Sequence, residues 1–355
     1  MNVDERLQLL RDSSLEIIEE QELRALLEQE QQPIVYDGYE PSGQLHIAQG
    51  ILVPHILNTF ITCGFHVKFF LADWHAQANN KMGGDLQKIQ NVGTYMKEVL
   101  LASGLNPKVE WVWASDLQKS PTYWQRVLQT SMANSVKRIE RCAEIMGRAE
   151  GSLQSSQILY PLMQCVDIFE LKADCIAMGM DQRKVNMLAR EVAPKLNLKK
   201  PVAVHHRMLM GLTEPQTDKT GVEGAIAKKM SKSNPNSAVF MTDPTEVVLK
   251  KFKKAYCPEK QVENNPVLEY AKYIVFAKFD SVDVTRDERF GGNKTFSSYD
   301  EVEADFVSGA LHPADLKSVV GTYINKMLDP VRDHFAQNED AKKLLETVQS
   351  YQVTR

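Results

Sequence analysis

The sequence has little of what marks a secreted, membrane-bound or disulfide-stabilised protein. Its 355 residues include five cysteines, an odd number with no CxxC spacing, so neither a disulfide framework nor a zinc ribbon is supported. No segment approaches the ~18 consecutive apolar residues that a membrane span needs. The first residues carry acids and lack the apolar core of a secretory signal. We therefore expect a cytoplasmic protein with no membrane segment.

The chain also lacks a strong net charge. Its formal charge is −4, with 43% hydrophobic and 25% charged residues, which is typical of a globular protein of about two domains. The basic residues are unevenly spread, because residues 228–254 hold seven lysines against Asp243 and Glu246. Such a local basic stripe can bind phosphate. Charge alone favours the other interpretation, a solvated helix face.

Hydrophobic periodicity predicts alternating helices and strands over most of the chain. Helices are predicted over residues 7–27, 46–63, 85–103, 122–146, 155–178, 182–196, 245–256, 266–276 and 313–335. Strands are predicted over residues 34–36, 66–73, 109–114 and 202–204. Residues 211–236 are rich in Gly, Thr, Lys, Ser and Asn, and they predict a long loop, of the kind that is usually either functional or disordered.

This alternation predicts an α/β fold with a doubly wound, Rossmann-like parallel sheet. The stretch between the strand that ends at residue 73 and the helix that begins near 155 is long for one crossover, which indicates a helical insertion at about 81–159. We expect an N-terminal helical segment (1–30), the Rossmann-like domain (31–241) and an all-α C-terminal domain (242–355).

The first motif runs from Tyr36 to Gln49 and predicts a strand, a Gly/Pro turn and a helix start. Ligands of doubly wound sheets bind at such strand ends, and a helix N-terminus attracts phosphate. Gly38 and Gly43 would let the backbone approach a nucleotide, and His46 could donate to a phosphate oxygen. The turn alone is weak evidence, since a surface histidine after a tight turn looks the same.

The second motif is Lys229-Met230-Ser231-Lys232-Ser233, inside the predicted loop. Two lysines and two hydroxyls form a flexible set of donors. Such a loop can close on a triphosphate and stabilise the charge that develops on the leaving pyrophosphate.

Together the two motifs, P-S-G-x-x-H-I-A-Q and K-M-S-K-S, resemble the signatures of the class I aminoacyl-tRNA synthetases. The chain resembles most specifically the tyrosyl-tRNA synthetases of the eukaryotic and archaeal type. Seven segments match in the family's order: 36–43, 71–75, 160–167, 179–184, 254–258, 290–294 and 311–317. The resemblance implies ATP-dependent ligation of L-tyrosine to tRNA(Tyr) through a tyrosyl-adenylate, with Mg²⁺ accompanying ATP and no metal site in the protein.

A polar stripe is predicted on the helix that follows the insertion. Tyr160, Gln164 and Asp167 stand at i, i+4 and i+7, on one helix face. From spacing alone, these polar side chains could form their hydrogen bonds within the core, although a buried carboxylate needs a partner. The resemblance makes that partner the substrate phenol, whose oxygen Tyr36 would share.

The resemblance also supplies the rest of the tyrosine site. Gln182 would join Tyr160 and Gln164 around the substrate ammonium group, and His75 would line the pocket or serve a structural purpose. A phenylalanine substrate would leave Asp167 and Tyr36 unpaired. Tyrosyl-tRNA synthetases are themselves the standard example of such discrimination, at about 10⁵ without editing.

For ATP, the resemblance implies catalytic roles for three residues on the phosphates: His46, Lys229 and Lys232. It implies further ATP contacts from Gly38, Glu40, Met230, Ser231 and Ser233. Gln49 stands where the superfamily usually has a second histidine, so no phosphate role is carried over to it.

On the tRNA side, the resemblance implies an anticodon-binding C-terminal domain. Phe290 would stack on the first anticodon base, while His312 and Asp315 reach its edge. From the residues alone, Asp315 is better explained as a helix N-cap. Arg183 would contact the acceptor end, and the insertion would form a homodimer that binds tRNA across subunits.

Three alternatives remain open from sequence. A tryptophanyl-tRNA synthetase shares the signatures, but the pair Tyr36 and Asp167 suits a phenol better than an indole. A non-catalytic RNA-binding or signalling protein would not need both His46 and the lysine loop. A small nucleotidyltransferase would need neither the helical C-terminal domain nor the polar stripe.

Overall fold

A six-stranded sheet lies at the centre of the structure. The computed structural model describes residues 1–29, 32–143, 154–217, 220–231 and 234–351. The strands are β1 (Glu16–Ile18), β2 (Ile34–Tyr39), β3 (His66–Leu71), β4 (Glu110–Trp113), β5 (Cys175–Gly179) and β6 (Val202–His206). Their order in the sheet is β1-β6-β5-β2-β3-β4. Five strands run parallel, and β1 pairs with β6 in the antiparallel sense.

This order makes the sheet doubly wound, as predicted. The chain runs from β2 outward through β3 and β4, then returns to the other side of β2 with β5 and β6. The winding therefore reverses between β2 and β5, where Val35 faces Cys175 and Tyr36 faces Ile176. A crevice opens outside the carboxyl ends of strands at such a switch point.

The described residues form sixteen α-helices. They are α1 (Val3–Ser13), α2 (Glu20–Gln29), α3 (Val53–Thr62), α4 (Asp73–Ala78), α5 (Leu86–Ala102), α6 (Ala114–Leu117), α7 (Pro121–Met132), α8 (Val136–Ala143), α9 (Ser155–Glu170), α10 (Arg183–Val192), α11 (Gly221–Lys228), α12 (Thr245–Lys254), α13 (Pro266–Tyr270), α14 (Tyr299–Ser308), α15 (Pro313–Gln337) and α16 (Glu339–Ser350). No helix in the described ranges has the length and apolar character that a membrane crossing demands.

The two faces of the sheet belong to different hydrophobic clusters. Because side chains alternate along a strand, Val35 and Phe69 point into one cluster, and Tyr36 and Phe70 into the other. The first cluster continues through α1–α3 and α5 into the C-terminal helices, and the second holds α7–α10. Both faces of the parallel strands are thus covered, as such sheets require.

The predicted helix over 155–178 is wrong in its last third. Helix α9 ends at Glu170, Lys172 turns the chain with a φ of 56°, and residues 175–179 form β5. The apolar run C-I-A-M-G fits either a buried helix or a buried strand, and only the pairing with β2 and β6 decides between them.

Other boundaries also differ from the predictions. Over 7–27, where one or two helices are predicted, there are two, with the unpredicted strand β1 between them, and the helix predicted over 122–146 is broken between α7 and α8. Its last three residues lie outside the described ranges. Helix α11 lies within the predicted loop 211–236, and the helical C-terminal region carries a two-stranded ribbon of β7 (Val282–Val284) and β8 (Lys294–Phe296).

Candidate active site

A cleft of about 980 Å³ opens at the carboxyl ends of β2 and β5. Helix α9, the turn after β2 and the start of the lysine loop form its walls. Twelve of the predicted site residues line it: Tyr36, Gly38, Glu40, His46, His75, Tyr160, Gln164, Asp167, Gln182, Lys229, Met230 and Ser231. Lys232 and Ser233 lie outside the described residues.

Asp167 is a fully buried carboxylate with one oxygen satisfied and one not. Its Oδ1 accepts hydrogen bonds from Gln118 Nε2 and from the Tyr123 hydroxyl, each at 2.8 Å. His75 Nε2 lies 3.1 Å from Oδ2, in a geometry that makes no hydrogen bond. Among the described residues Oδ2 has no hydrogen-bond donor. A buried oxygen of this kind is costly unless a ligand donates to it.

Two pairs of aromatic rings line the cleft together with this carboxylate. Tyr36 packs edge-on against Phe70 at 5.9 Å between ring centroids, and the His75 ring meets Tyr160 edge-on at 4.7 Å. Burial, followed by the charge of Asp167, raises the pKa of the Tyr36 phenol well above its usual value. The phenol is therefore held neutral, and it keeps its proton as a hydrogen-bond donor.

One wall of the cleft is rich in hydrogen-bond acceptors. Gln164 Nε2 donates to Gln182 Oε1 at 3.0 Å, and the Tyr160 hydroxyl donates to Glu40 Oε2 at 3.1 Å. Burial raises the pKa of Tyr160, and the charge of Glu40 raises it further. Glu40 also accepts from Asn79 at 3.2 Å. The structure thus joins Glu40, predicted as an ATP contact, to the polar stripe of α9.

Backbone pairing joins the two sequence motifs. The Ile47 N–H donates to the Val239 carbonyl, and the Met241 N–H donates to the Leu45 carbonyl, both at 2.9 Å. His46, between them, is mostly buried and lines the cleft. A short antiparallel pairing therefore joins the turn that carries His46 to the segment that follows the lysine motif.

The structure shows why residue 38 must be a glycine, which the sequence did not reveal. A Cβ atom at this position would stand 2.4 Å from the Phe70 carbonyl oxygen, far inside van der Waals contact. The glycine thus permits β2 to approach β3 closely. Gly43 has a φ of 124°, which fits the predicted tight turn.

Lys229 is anchored at its backbone and ion-paired at its side chain. Its backbone forms an antiparallel bridge with Met210, and its Nζ donates to Asp181 Oδ2 at 2.9 Å. The next residue, Met230, is buried. Lys229 therefore carries its charge at the cleft wall next to a carboxylate.

Asp37 is a second buried carboxyl in the cleft, on the face of β2 opposite Tyr36. Its Oδ1 accepts from the Gly38 N–H at 2.7 Å, and its Oδ2 has no hydrogen-bond partner among the described residues. Burial, with a further contribution from Asp181, raises the pKa of Asp37 to about 8. Near neutral pH this carboxyl is therefore largely protonated and able to donate.

Four functional candidates escaped the sequence analysis: Asp37, Gln118, Tyr123 and Asp181. Asp37 and Asp181 each adjoin a predicted residue, so the motifs could have drawn attention to them. Gln118 and Tyr123 come more than 40 positions before Asp167, and no spacing signals their contact with it. In the described ranges no group of three or more His, Cys, Asp or Glu side chains is arranged to hold a metal ion.

The residues predicted to contact tRNA lie outside this cleft. Arg183 donates to Glu16 Oε2 at 2.8 Å, while Phe290 is 61% exposed, with the Arg289 guanidinium 4.8 Å from its ring. His312 caps α15 by accepting from the Ala314 N–H. The N-cap of α15 is therefore His312, and the prediction that Asp315 caps this helix is wrong.

Comparisons with known proteins agree on one family. The model for class I tRNA synthetases (W and Y) matches residues 28–329. Over 358 residues the chain is 48% identical to tyrosine–tRNA ligase 1, cytoplasmic, of Arabidopsis thaliana, covering 99% of this chain and 90% of that protein.

Two solved structures show the same similarity. A Pyrococcus horikoshii tyrosyl-tRNA synthetase complexed with L-tyrosine is 36% identical with a TM-score of 0.91, covering 98% of this chain and all of that one. A Leishmania major tyrosyl-tRNA synthetase in complex with tyrosinol is 44% identical with a TM-score of 0.89, covering 99% of this chain. This chain spans 53% of the length of the Leishmania chain.

Proposed function

Because this chain belongs to the tyrosyl-tRNA synthetases of class I, we propose that it ligates L-tyrosine to tRNA(Tyr) through a tyrosyl-adenylate. One observation carries the choice of amino acid. Asp167 lies buried in the cleft with one carboxylate oxygen that lacks a donor, and a phenolic hydroxyl would supply it. Tyr36, which keeps its proton, would donate to the same phenol oxygen.

This pair explains how the site would reject phenylalanine. Without a para-hydroxyl, Asp167 Oδ2 would stay buried and unpaired in the complex, and the Tyr36 donor would lose its acceptor. An unpaired buried group costs about 1–3 kcal/mol, and more when it is charged. Selection against phenylalanine would therefore come from the unpaired polar groups of the protein itself.

The polar wall would hold the substrate ammonium group. Its members are the Tyr160 hydroxyl, the Gln164 and Gln182 amides, and the carboxylate of Glu40. Oxygen acceptors and a negative charge suit an ammonium group, which has three donors and no acceptor. Placing the phenol at Asp167 and the ammonium group here would direct the substrate carboxylate toward the nucleotide side of the cleft.

The ATP phosphates would bind to His46, Lys229 and Lys232, with donors from Ser231 and Ser233. Gly38 and Met230 would contact the nucleotide. Lys229 would exchange Asp181 for the phosphates when ATP enters. Mg²⁺ would arrive with ATP, since this ion usually binds through phosphates and a few carboxylates.

The chemistry requires no side-chain nucleophile. The tyrosine carboxylate would attack the α-phosphorus in line, forming the mixed anhydride and releasing pyrophosphate. The protein would contribute positioning and stabilisation of the charge on the leaving group. A terminal ribose hydroxyl of the tRNA would then attack the tyrosyl carbonyl, and AMP would leave.

The tRNA would bind mainly through the C-terminal region, which we place at residues 242–355 beyond the 31–241 catalytic domain. The exposed Phe290 ring is available for stacking on an anticodon base, and His312 and Asp315 start the neighbouring helix. Arg183, now paired with Glu16, would contact the acceptor end.

A homodimer is supported by an apolar stripe on the insertion. Trp124, Leu128 and Met132 recur every four residues on α7 and are 36%, 64% and 86% exposed, and Val136 follows at 63%. A contiguous exposed apolar stripe of this kind marks an interaction surface. We place the assembled enzyme in the cytoplasm, as named for the Arabidopsis relative.

Exchange of labelled pyrophosphate into ATP tests this function directly. We expect exchange that depends on L-tyrosine and is not supported by phenylalanine or tryptophan at equal concentration. A stronger response to tryptophan would transfer the assignment to the tryptophan branch of the family. Absence of exchange with every amino acid, from a folded protein, would indicate a non-catalytic role.

A further inference from the structure

A short helix of the C-terminal region holds the strand segment that supports Lys229. The hydroxyl of Tyr270, the last residue of α13, donates to the Met210 carbonyl oxygen. The carboxylate of its neighbour Glu269 accepts a hydrogen bond from the Met210 N–H across 3.2 Å. Two consecutive side chains of α13 therefore fix both backbone polar groups of Met210.

Met210 is in turn the pairing partner of Lys229. The two residues form an antiparallel bridge. On either side of it, the Gly211 N–H donates to the Lys228 carbonyl at 2.9 Å, and the Met230 N–H donates to the Leu209 carbonyl at 2.8 Å. A shift of Met210 would thus move the backbone of Lys229 with it.

Two more contacts tie the same strand pair to the C-terminal region. Lys228 Nζ donates to Asn264 Oδ1 at 2.9 Å. The Arg207 guanidinium stacks 3.3 Å from the centroid of the Tyr273 ring, a distance typical of a cation–π contact. Residues 264–273 therefore contact both segments of the bridge, at Arg207 in the segment of Met210 and at Lys228 in the segment of Lys229.

Helix α13 is itself firmly held. Asn265, which is 2% exposed, accepts hydrogen bonds from the Val267 and Leu268 N–H groups and so caps the helix. The Tyr270 ring is fully buried and meets the Phe252 ring edge-on, at 6.1 Å between centroids. A buried, capped helix is a rigid support for the groups that it orients.

We propose that Glu269 and Tyr270 are positioning residues that set the reach of Lys229 toward the ATP phosphates. This inference rests on the phosphate role of Lys229 proposed above. Neither residue lines the cleft, so each acts through Met210 and the backbone of Lys229. Small misplacements of a charge-stabilising group are expensive in rate, since an error of about 1 Å can cost about a hundredfold.

Three variants of this chain separate this role from general packing. Tyr270→Phe keeps the buried ring and removes the donor to Met210. Glu269→Met removes the acceptor at similar size, whereas Glu269→Gln retains an oxygen that can accept from the Met210 N–H. Tyr323→Phe removes a hydroxyl that accepts from the Asp283 N–H, on a buried tyrosine of α15 that does not line the cleft, and it serves as the control.

The readout is tyrosine-dependent pyrophosphate exchange with ATP and tyrosine varied separately. Loss of one hydrogen bond is worth about five- to tenfold. We expect Tyr270→Phe and Glu269→Met each to lower kcat/KM for ATP by that factor, with KM for tyrosine changed less than twofold. Glu269→Gln should recover most of the loss, and Tyr323→Phe should match the wild type.

A double-mutant cycle with Lys229→Met tests whether the effect passes through the lysine. When Lys229 is already absent, Tyr270→Phe should cause no further loss of kcat/KM for ATP. The proposal is overturned by an equal loss in both backgrounds, by a parallel rise in KM for tyrosine, or by wild-type kinetics in both Tyr270→Phe and Glu269→Met. A wild type without tyrosine-dependent exchange would instead refute the proposed function.

Discussion

Tyr123 donates its hydroxyl to Oδ1 of Asp167 across 2.8 Å, and both side chains are buried. Gln118 donates to the same oxygen, so both hydrogen bonds are made to Oδ1 of the carboxylate. The orientation of Asp167 is therefore set by the segment around α7, and its other oxygen has no hydrogen-bond donor among the described residues.

Replacing Tyr123 should weaken tyrosine selection without removing a ligand contact. Because a hydrogen bond to a charged group is worth about 1.5–3 kcal/mol, Tyr123→Phe should raise KM for tyrosine about 10- to 100-fold and reduce discrimination against phenylalanine. Exchange kinetics with both amino acids measure this, with Tyr323→Phe as the matched control. An unchanged discrimination ratio would mean that Asp167 is oriented without Tyr123.

Lys229→Met should impair activation but spare amino-acid binding. Removing one preorganised donor from developing charge typically costs 10²–10³ in rate, so the exchange rate should fall by about that factor. Tyrosine affinity, measured by calorimetric titration, should stay within about twofold. Lys250→Met, on the exposed face of α12, is the control. A comparable loss in that variant would show that the rate falls because the net charge changes, and not because of the position of Lys229.

Asp37 should make the protein less stable as pH rises. Its pKa of about 8 in the folded chain lies above its unfolded value of 3.8, so the folded state binds more protons between about pH 4 and 8. Stability is therefore present at low pH and is lost as pH rises through the folded pKa. Asp37→Asn should melt progressively higher than the wild type from pH 5 to 8. A melting difference independent of pH would contradict this account.

Disrupting the stripe of α7 should separate the proposed dimer into monomers. Leu128→Glu places a charge on a surface that is proposed to be buried between subunits, where an unpaired charge is strongly unfavourable. Light scattering after size exclusion should show monomers at micromolar concentration. Leu249→Glu alters an exposed leucine of α12 and should leave the mass unchanged. A dimeric Leu128→Glu variant would place the interface elsewhere.

Phe290→Ala should affect transfer to tRNA but not activation. Loss of one base-stacking ring costs about 1–3 kcal/mol, so kcat/KM for tRNA should fall about 5- to 100-fold while pyrophosphate exchange is retained. Val307→Ala, at another exposed apolar position of the same region, controls for surface changes. Equal losses in both reactions would indicate misfolding instead.

The sequence predicted best what is local in the chain. Tyr160, Gln164 and Asp167 share a helix face wherever that helix lies, and the strand–turn element before His46 is marked by its own glycines and proline. The order of the motifs along the chain then indicated the family. Such patterns are short in range, and their geometry follows from helix and strand periods alone.

What the sequence could not supply depends on contacts across the fold. The apolar run of β5 fits two structures equally well, and its pairing with β2 decides between them. Whether one oxygen of Asp167 lacks a donor depends on Gln118 and Tyr123. These residues lie on α7 and in the segment just before it. The reason for Gly38 likewise lies in the neighbouring Phe70 backbone.

The antiparallel strand β1 has a practical consequence for shortened versions of this protein. Glu16 of β1 accepts from buried His205 at 2.9 Å and from Arg183, while β1 pairs along β6. A chain truncated before Ile34 would expose the hydrogen-bonding edge of β6 and remove the carboxylate from His205. Unprotected sheet edges pair with other chains, so such a truncated protein should aggregate although every residue of the cleft is still encoded.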